Sequence, residues 1–266
     1  MTDILTEQDG AILTLTLNRP DRRNPITDLV MVDALVHALE TADTDSSVRV
    51  VILTGAGKAF CSGGDLRQMQ AGPQSLLGDT PEMTADNYRK GIQRIPLAIE
   101  ALGVPVIAAV NGAAIGAGCD LTCMCDLRIA STSAVFAESF VKLGLIPGDG
   151  GAWLLPRIVG FSRAVEMALT GDKIDAETAL AWGLVSRVVA PEALLPTCRA
   201  LAQRIAVNPP GAVRMARKML RQGCDQTLSE ALNTAANNQG YAHQSQDHHE
   251  AVQAFLEKRT PHFKGD

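Results

Sequence analysis

Residues 104–120 read VPVIAAVNGAAIGAGCD, and this stretch decides how the rest of the chain is read. It opens on an apolar, β-branched run, residues 104–110, interrupted only by Pro105. A short run of that composition predicts a strand buried on both faces. Asn111 and Gly112 supply turn chemistry. Gly116 and Gly118 let the backbone bend sharply and be approached closely. Residues 121–125 continue apolar, as the first turns of a buried helix do. The sequence therefore predicts strand, glycine turn, helix N-terminus. Such a turn leaves unpaired amide N–H groups aimed at one point with the positive end of a helix dipole behind them. It can hold an anion, or an oxygen that becomes one during a reaction.

The glycines fit neither common nucleotide motif. A dinucleotide fingerprint needs a third glycine where Leu121 stands, and a phosphate loop needs a lysine that does not follow. A second stretch, residues 55–66, GAGKAFCSGGDL, lies after another buried strand at 48–54. Gly63 and Gly64 repeat the strand–glycine–helix logic, with a helical turn expected from Asp65. Two such units can each aim one amide at the same oxygen, which is how an oxyanion hole is built.

Around these units the chain reads as an ordinary globule of 266 residues, 46% hydrophobic and 20% charged. Its net charge of −5 excludes a nucleic-acid surface as the main function, although Arg214, Arg217, Lys218 and Arg221 form a local basic face expected to meet water or an anionic ligand. No apolar run is long enough to span a bilayer, and the first ten residues carry neither a basic nor a hydrophobic segment; the expectation is a cytoplasmic protein that binds no membrane. Six cysteines without a CxxC pair, and five histidines without HExxH, predict reduced thiols and no metal site.

Periodicity predicts a half-buried strand at 11–18, a proline-punctuated basic loop at 18–25 and an amphipathic helix at 28–41. A polar loop, placed as a lid, is expected over 68–87, and one helix over 89–102. Short strands follow at 127–130 and 135–137, a glycine turn and helix within 142–156, a helix at 175–182 and a strand at 184–189. Beyond 190 only helices are expected, near 192–206, 211–222, 226–240 and 248–258. The organisation is α/β: a core of strand–strand–helix units at 1–190, then an all-helical part at 191–266.

In family order and spacing, NRP at 18–20, AFCSGGDL at 59–66, PVIAAVNG at 105–112, GAG at 116–118, GLIPG at 144–148 and AFLEKR at 254–259 together resemble the crotonase superfamily, the enoyl-CoA hydratase/isomerase family. The resemblance implies a crotonase-like spiral of ββα repeats with an α-helical C-terminal trimerisation region, assembled as a homotrimer or a dimer of trimers. It implies an acyl-CoA thioester substrate in fatty acid or aromatic acid degradation, with no separate cofactor, since coenzyme A enters as part of the substrate. By the same resemblance the oxyanion hole is the amides of Gly64 and Ala117. Arg22, Arg23, Asp65 and Leu66 are placed along the CoA, and Phe255 and Lys258 reach the CoA of a neighbouring subunit. Of the two glutamates that hydratases of the family use, the first position is Asp120 here and the second is Phe140, which cannot transfer a proton. Glu138, two residues earlier, is expected to share a strand face with Phe140. Asp149, in the turn before the next helix, is the expected principal base with Asp120 assisting; the other role open to Asp149 is an N-cap. Isomerisation is therefore favoured over hydration. The alternatives are a catalytically altered CoA-thioester-binding homologue, and a thioester hydrolase or lyase.

Overall fold

The computed structural model describes residues 2–65 and 76–265. Strands β1 (Ile4–Asp9), β2 (Ile12–Leu17), β3 (Val50–Gly55), β5 (Val106–Val110), β7 (Leu127–Ser131) and β10 (Arg187–Val189) form one sheet in the order β1-β2-β3-β5-β7-β10. Strands β4 (Ala59–Cys61), β6 (Ala113–Ile115), β8 (Val135–Ala137) and β9 (Ile174–Asp175) form a second sheet in that order. The β1–β2 and β8–β9 pairs are antiparallel and the other pairs are parallel.

The spiral follows from the connections. β3, β5 and β7 lie side by side in the large sheet, and each passes within two or three residues to β4, β6 or β8 in the small one. Successive turns of the spiral therefore stack closely. A Cβ on Gly112 would lie 2.0 Å from the Lys58 carbonyl oxygen, and one on Gly55 would lie 2.3 Å from that of Phe60. Asparagine amides stitch the bends: Asn111 Nδ2 donates to the Gly57 carbonyl at 3.0 Å, and buried Asn24 donates to Ala56 and Ala59 at 2.9 Å.

The large sheet is covered on both faces, which explains why β3 and β5 are buried at every position and mostly apolar. Alternate residues face opposite ways. Ile12, Val50, Ile52, Ile107, Ala109 and Ile129 meet Leu194, Cys198, Ala202 and Ala206, spaced four apart along the helix Leu194–Ala206. Val51, Leu53, Ala108 and Val110 join the larger core with Phe60, Ala114, Phe136 and the helix Leu29–Thr44. The outer face of the sheet is thus closed by the first helix beyond residue 190. Helices Pro210–Gly223, Leu228–Gln244 and Gln246–Glu257 follow.

Three expectations are corrected. The polar stretch 68–87 is not one loop: residues 66–75 lie outside the described residues, and 81–87 belong to a helix, Pro81–Lys90. Thr80 caps that helix by accepting from the Met83 amide, Pro81 opens it, and Arg89 and Lys90 complement the dipole in its last turn. The helix over 89–102 is broken at Gly91, whose neighbourhood has no room for a Cβ (2.7 Å from the Asn87 oxygen), and resumes at Arg94–Ala101. The basic face at 214–221 mostly meets internal anions. Arg217 is buried; it donates to Asp126 Oδ2 at 2.8 Å and to the carbonyls of Ile99 (2.7 Å) and Leu102, which cap the helix before β5. Arg221 shares Asp126 and Glu100, and Arg214 pairs with Asp43 at 2.7 Å; Lys218 alone of the four is exposed. Asp126 Oδ2 also accepts from the Val106 amide, so this cluster fixes the start of β5.

Replacing Arg217 by Ala strands Asp126 and two helix-end carbonyls. The expected loss of unfolding free energy is about 3 kcal/mol, the scale for breaking a buried pair. Arg214→Ala, at a half-buried pair, is expected to cost about 1 kcal/mol. Urea denaturation of the two variants checks both the values and their order.

Candidate active site

The two glycine turns of the sequence meet. Gly63, with φ +79°, lies so close to the second turn that a Cβ there would stand 2.5 Å from the Ile115 oxygen and 3.0 Å from the Ala117 nitrogen. From the other side, a Cβ on Gly118 would fall 2.1 Å from the Cys61 oxygen. Only glycine fits on either side of this contact. The Cys61–Gly63 segment is further held by Ser62 N donating to the Arg23 carbonyl at 2.8 Å and Ile26 N to the Gly63 carbonyl at 2.9 Å.

Ala117 opens the fully buried helix Ala117–Met124, behind Gly116 with φ +54°. As its first residue it has no intrahelical acceptor for its amide. Among the described residues neither the Ala117 nor the Gly64 amide has a hydrogen-bond acceptor. Both residues line one cleft of about 320 Å³, with Gly116, Tyr88, Ile92, Phe140, Leu143, Leu145 and Asp149. The Phe140 ring lies 3.6 Å from where a Cβ on Gly116 would be, so Gly116 gives the aromatic wall its room.

Asp149 arrives in this cleft from the turn 147–151. Gln93 Nε2 donates to the Gly148 carbonyl at 2.7 Å, and Gly150, at φ +120°, turns the chain into the helix Gly151–Val159. The N-cap of that helix is Gly150, and no side chain caps it, so the capping role open to Asp149 in the sequence is excluded. Asp149 also lines an adjoining cavity of about 460 Å³ with Pro96, Leu97, Met124, Trp153 and Leu154. Among the described residues lining the cleft, Asp149 is the only carboxylate.

Asp120, in the first turn of the helix Ala117–Met124, points beneath Asp149. Its Oδ1 occupies the space beside Gly151, where a Cβ would be only 1.8 Å away. Asp120 is 0% exposed, Glu138 1% and Asp149 3%. No conventional donor among the described residues reaches either oxygen of Asp120, either oxygen of Glu138, or Asp149 Oδ1. The groups within hydrogen-bonding reach of Asp120 are the carboxyls of Asp149 and Glu138. Two carboxyls bond only if one of them keeps its proton. Burial, then the charges of Glu138 and Asp149, push Asp120 well above the usual carboxylate range. Burial pushes Glu138 up to about 7 and also raises Asp149, against contacts to Asp120 that favour the ionised form of each.

Glu138 does not share a face with Phe140. β8 ends at Ala137, Glu138 has φ −92° and ψ 64°, and a 3-10 turn, Ser139–Leu143, follows. The alternation that would align the two residues stops there. Phe140 faces the cleft, whereas Glu138 faces the buried side, lining a separate apolar pocket of about 220 Å³ with Leu155 and Ala164.

Of the residues placed along the CoA, Arg23 lines the cleft and has a left-handed backbone, φ 61°. Arg22 lies beside it and is paired with Asp65, Nε to Oδ2 3.0 Å. Leu66 lies outside the described residues. Phe255 is 82% exposed, and Lys258 ends its helix in the left-handed region at φ 56°. Sequence reasoning missed Tyr88, Ile92 and Lys173 as cleft residues. Tyr88, one of two tyrosines in the chain, was the one available signal, and it sat between the stretch 68–87 read as a loop and the helix expected from 89. Among the described residues no group of three or more His, Cys, Asp or Glu side chains is arranged to hold a metal ion.

A spiral of ββα turns, with two free amides over a buried carboxyl cluster, is the crotonase architecture, and comparison with known proteins agrees. The profile of the enoyl-CoA hydratase/isomerase family matches residues 7–266. The chain is 38% identical to 1,2-epoxyphenylacetyl-CoA isomerase of Escherichia coli K12, over all of this chain and 99% of that one. It is 37% identical to 2,3-dehydroadipyl-CoA hydratase of the same organism over the whole of both. An enoyl-CoA hydratase structure from Bacillus anthracis superimposes with a TM-score of 0.91 at 36% identity, covering 99% of this chain and all of that one. The chain belongs to the enoyl-CoA hydratase/isomerase family of the crotonase superfamily.

The raised Glu138 carries a stability consequence. Between pH 4.5, its ordinary value, and about 7, the unfolded glutamate ionises while the folded one stays neutral. The unfolded state therefore binds fewer protons there, and stability falls as pH rises through that window. Glu138→Gln removes the titration. It is expected to raise the melting temperature at pH 8 and to change it little at pH 5, as calorimetry at the two pH values can measure.

Proposed function

We infer that the protein isomerises the double bond of an enoyl-CoA thioester through an enolate whose oxygen is held by the Gly64 and Ala117 amides, with Asp149 as the base. The observation that carries this reading is the shared cleft: the two unpaired amides and one carboxylate face the same space. A thioester oxygen at the amides puts its neighbouring carbons along the cleft toward Asp149. Removing a proton there sends the C–H electron pair into the enolate, and returning it to another carbon moves the double bond. Bases placed in this way contribute about 10²–10⁴-fold. Coenzyme A enters as part of the substrate, past Arg22 and Arg23, whose guanidinium groups suit its phosphates.

Hydration is the second reading, favoured by the relatives that bear hydratase names. Against it stands the Phe140 ring in the cleft, where water would need a second acid–base group. The protein is also expected to act in the cytoplasm as a homotrimer or a dimer of trimers. The exposed Leu228, Leu232, Tyr241 and Phe255 on the last helices support that assembly, as does the lack of any buried residue in the helix Leu228–Gln244.

Purified protein is expected to convert a 3-enoyl-CoA to the conjugated 2-enoyl-CoA, seen as growth of the conjugated-thioester absorbance, faster than it hydrates the 2-enoyl-CoA. Asp149→Asn is expected to lower this turnover about 10³-fold. Gly64→Pro removes one amide donor and is expected to cost about 10²–10³-fold in folded protein checked by circular dichroism. Equal turnover in wild type and both variants, or hydration without isomerisation, overturns the reading.

A further inference from the structure

Three buried carboxyls lie in a row, and only one of them meets the cleft. Asp149 faces the cleft, Asp120 lies beneath it against Gly151, and Glu138 lies beyond Asp120 beside an apolar pocket. No conventional donor among the described residues serves Asp120 or Glu138, and the three carboxyls are not arranged as a group that could hold a metal ion. Three carboxylate charges in one buried site would each cost several kcal/mol. Apart from the weakly donating Cys119 thiol beside Glu138, the donors that stabilise the row must come from its own members.

We propose that Glu138, Asp120 and Asp149 form a directional chain, Glu138–OH to Asp120, Asp120–OH to Asp149, which pins a single negative charge on Asp149, and that Glu138 is the positioning residue that sets this direction. Two protons among three carboxyls satisfy each contact and leave the charge at the end facing the cleft. The inference rests on the proposed enolate chemistry for its purpose, but the proton arrangement exists without substrate. In the reaction, the substrate C–H bond breaks, its electron pair enters the enolate, and the proton joins Asp149; the row then holds three protons. Return of that proton to the other carbon restores two.

The titratable groups facing the row are few. Cys119 contacts Glu138, Cys123 lies near Asp120, and Cys61 and Tyr88 lie near Asp149. The contact with Cys123, then burial, raises the Cys119 thiol, burial raises the Cys61 thiol, and burial then the Asp149 charge raises the Tyr88 hydroxyl, so none of these three competes for the charge near neutral pH. Burial holds the Glu138 proton up to about pH 7. Above that, Glu138 ionises and competes for the Asp120 proton, Asp149 loses its donor, and a second negative charge opposes the enolate.

The test reads the proton directly and then the turnover. Infrared spectra of the substrate-free protein are expected to show a carboxylic-acid carbonyl band that titrates near pH 7 in wild type and is absent in Glu138→Gln. The kcat/KM for isomerisation of a 3-enoyl-CoA is expected to fall above pH 7 in wild type. In Glu138→Gln, whose amide always donates, it is expected to stay level there with unchanged KM. Glu138→Leu, which offers no donor, is expected to lose at least tenfold at every pH. A wild-type protein with no such band, or a Glu138→Gln protein that keeps the wild-type fall above pH 7, overturns the proposal. If the band is present and titrates as stated while no CoA thioester is turned over, the proton chain stands and the enolate reading fails instead.

Discussion

The contact between the two glycine turns is the constraint on which the rest of the site depends. Gly63 against Ile115 and Ala117, and Gly118 against Cys61, bring two consecutive turns of the spiral to backbone van der Waals distance. Any side chain at either position would push the turns apart, and the two free amides would no longer share a cleft. The fully buried helix that Ala117 opens and the edge of the small sheet are held at the same time, because β4 and β6 pair directly above the contact. Catalytic geometry and sheet geometry are therefore one requirement here, met by backbone alone.

Much of this was legible in the residues. The β-branched runs at 48–54 and 104–110 mark strands covered on both faces, and the glycines after each mark the close approach. The spacing of the C-terminal helices follows from their periodicity. What escaped has a common cause, since it depends on partners far away in the chain. Arg214 and Arg217 read as a basic surface because their anions, Asp43 and Asp126, lie 171 and 91 residues upstream. Glu138 read as a strand residue because its departure from the strand depends on one ψ angle, at the entry to a 3-10 turn with no glycine or proline before Gly144. The helix at Pro81–Lys90 was hidden by its own low hydrophobicity; its Thr80 cap and Pro81 start were the available signals.

The arginine cluster and the carboxyl row show two solutions to burying charge in one domain. At Asp126, each oxygen has guanidinium or amide donors, and the ion pairs lock the helix Pro210–Gly223 onto the start of β5. At Asp120 no donor of that kind is present, and the neighbours are acids. The first arrangement stabilises the fold. The second stabilises it only at low pH, where Glu138 is neutral in both folded and unfolded states, and it weakens the fold as pH rises toward 7. A protein that keeps such a cluster accepts lower stability at the site, as strained and unsatisfied groups at functional positions commonly do.

The cluster also bears on how the proposed enolate would form in this cleft. Two helix N-termini converge there: Ala117 begins one, and Asp120 leans on Gly151, which begins the other. Both favour negative charge. In the proposed reaction that charge lies on Asp149 before proton transfer and on the thioester oxygen between the two amides after it, with Asp149 then neutral. The site holds one negative charge throughout and only its position changes, so enolate formation buries no new charge. Phe140 and the apolar wall can then exclude water without opposing the reaction, because the single charge passes from one protein-held position to another.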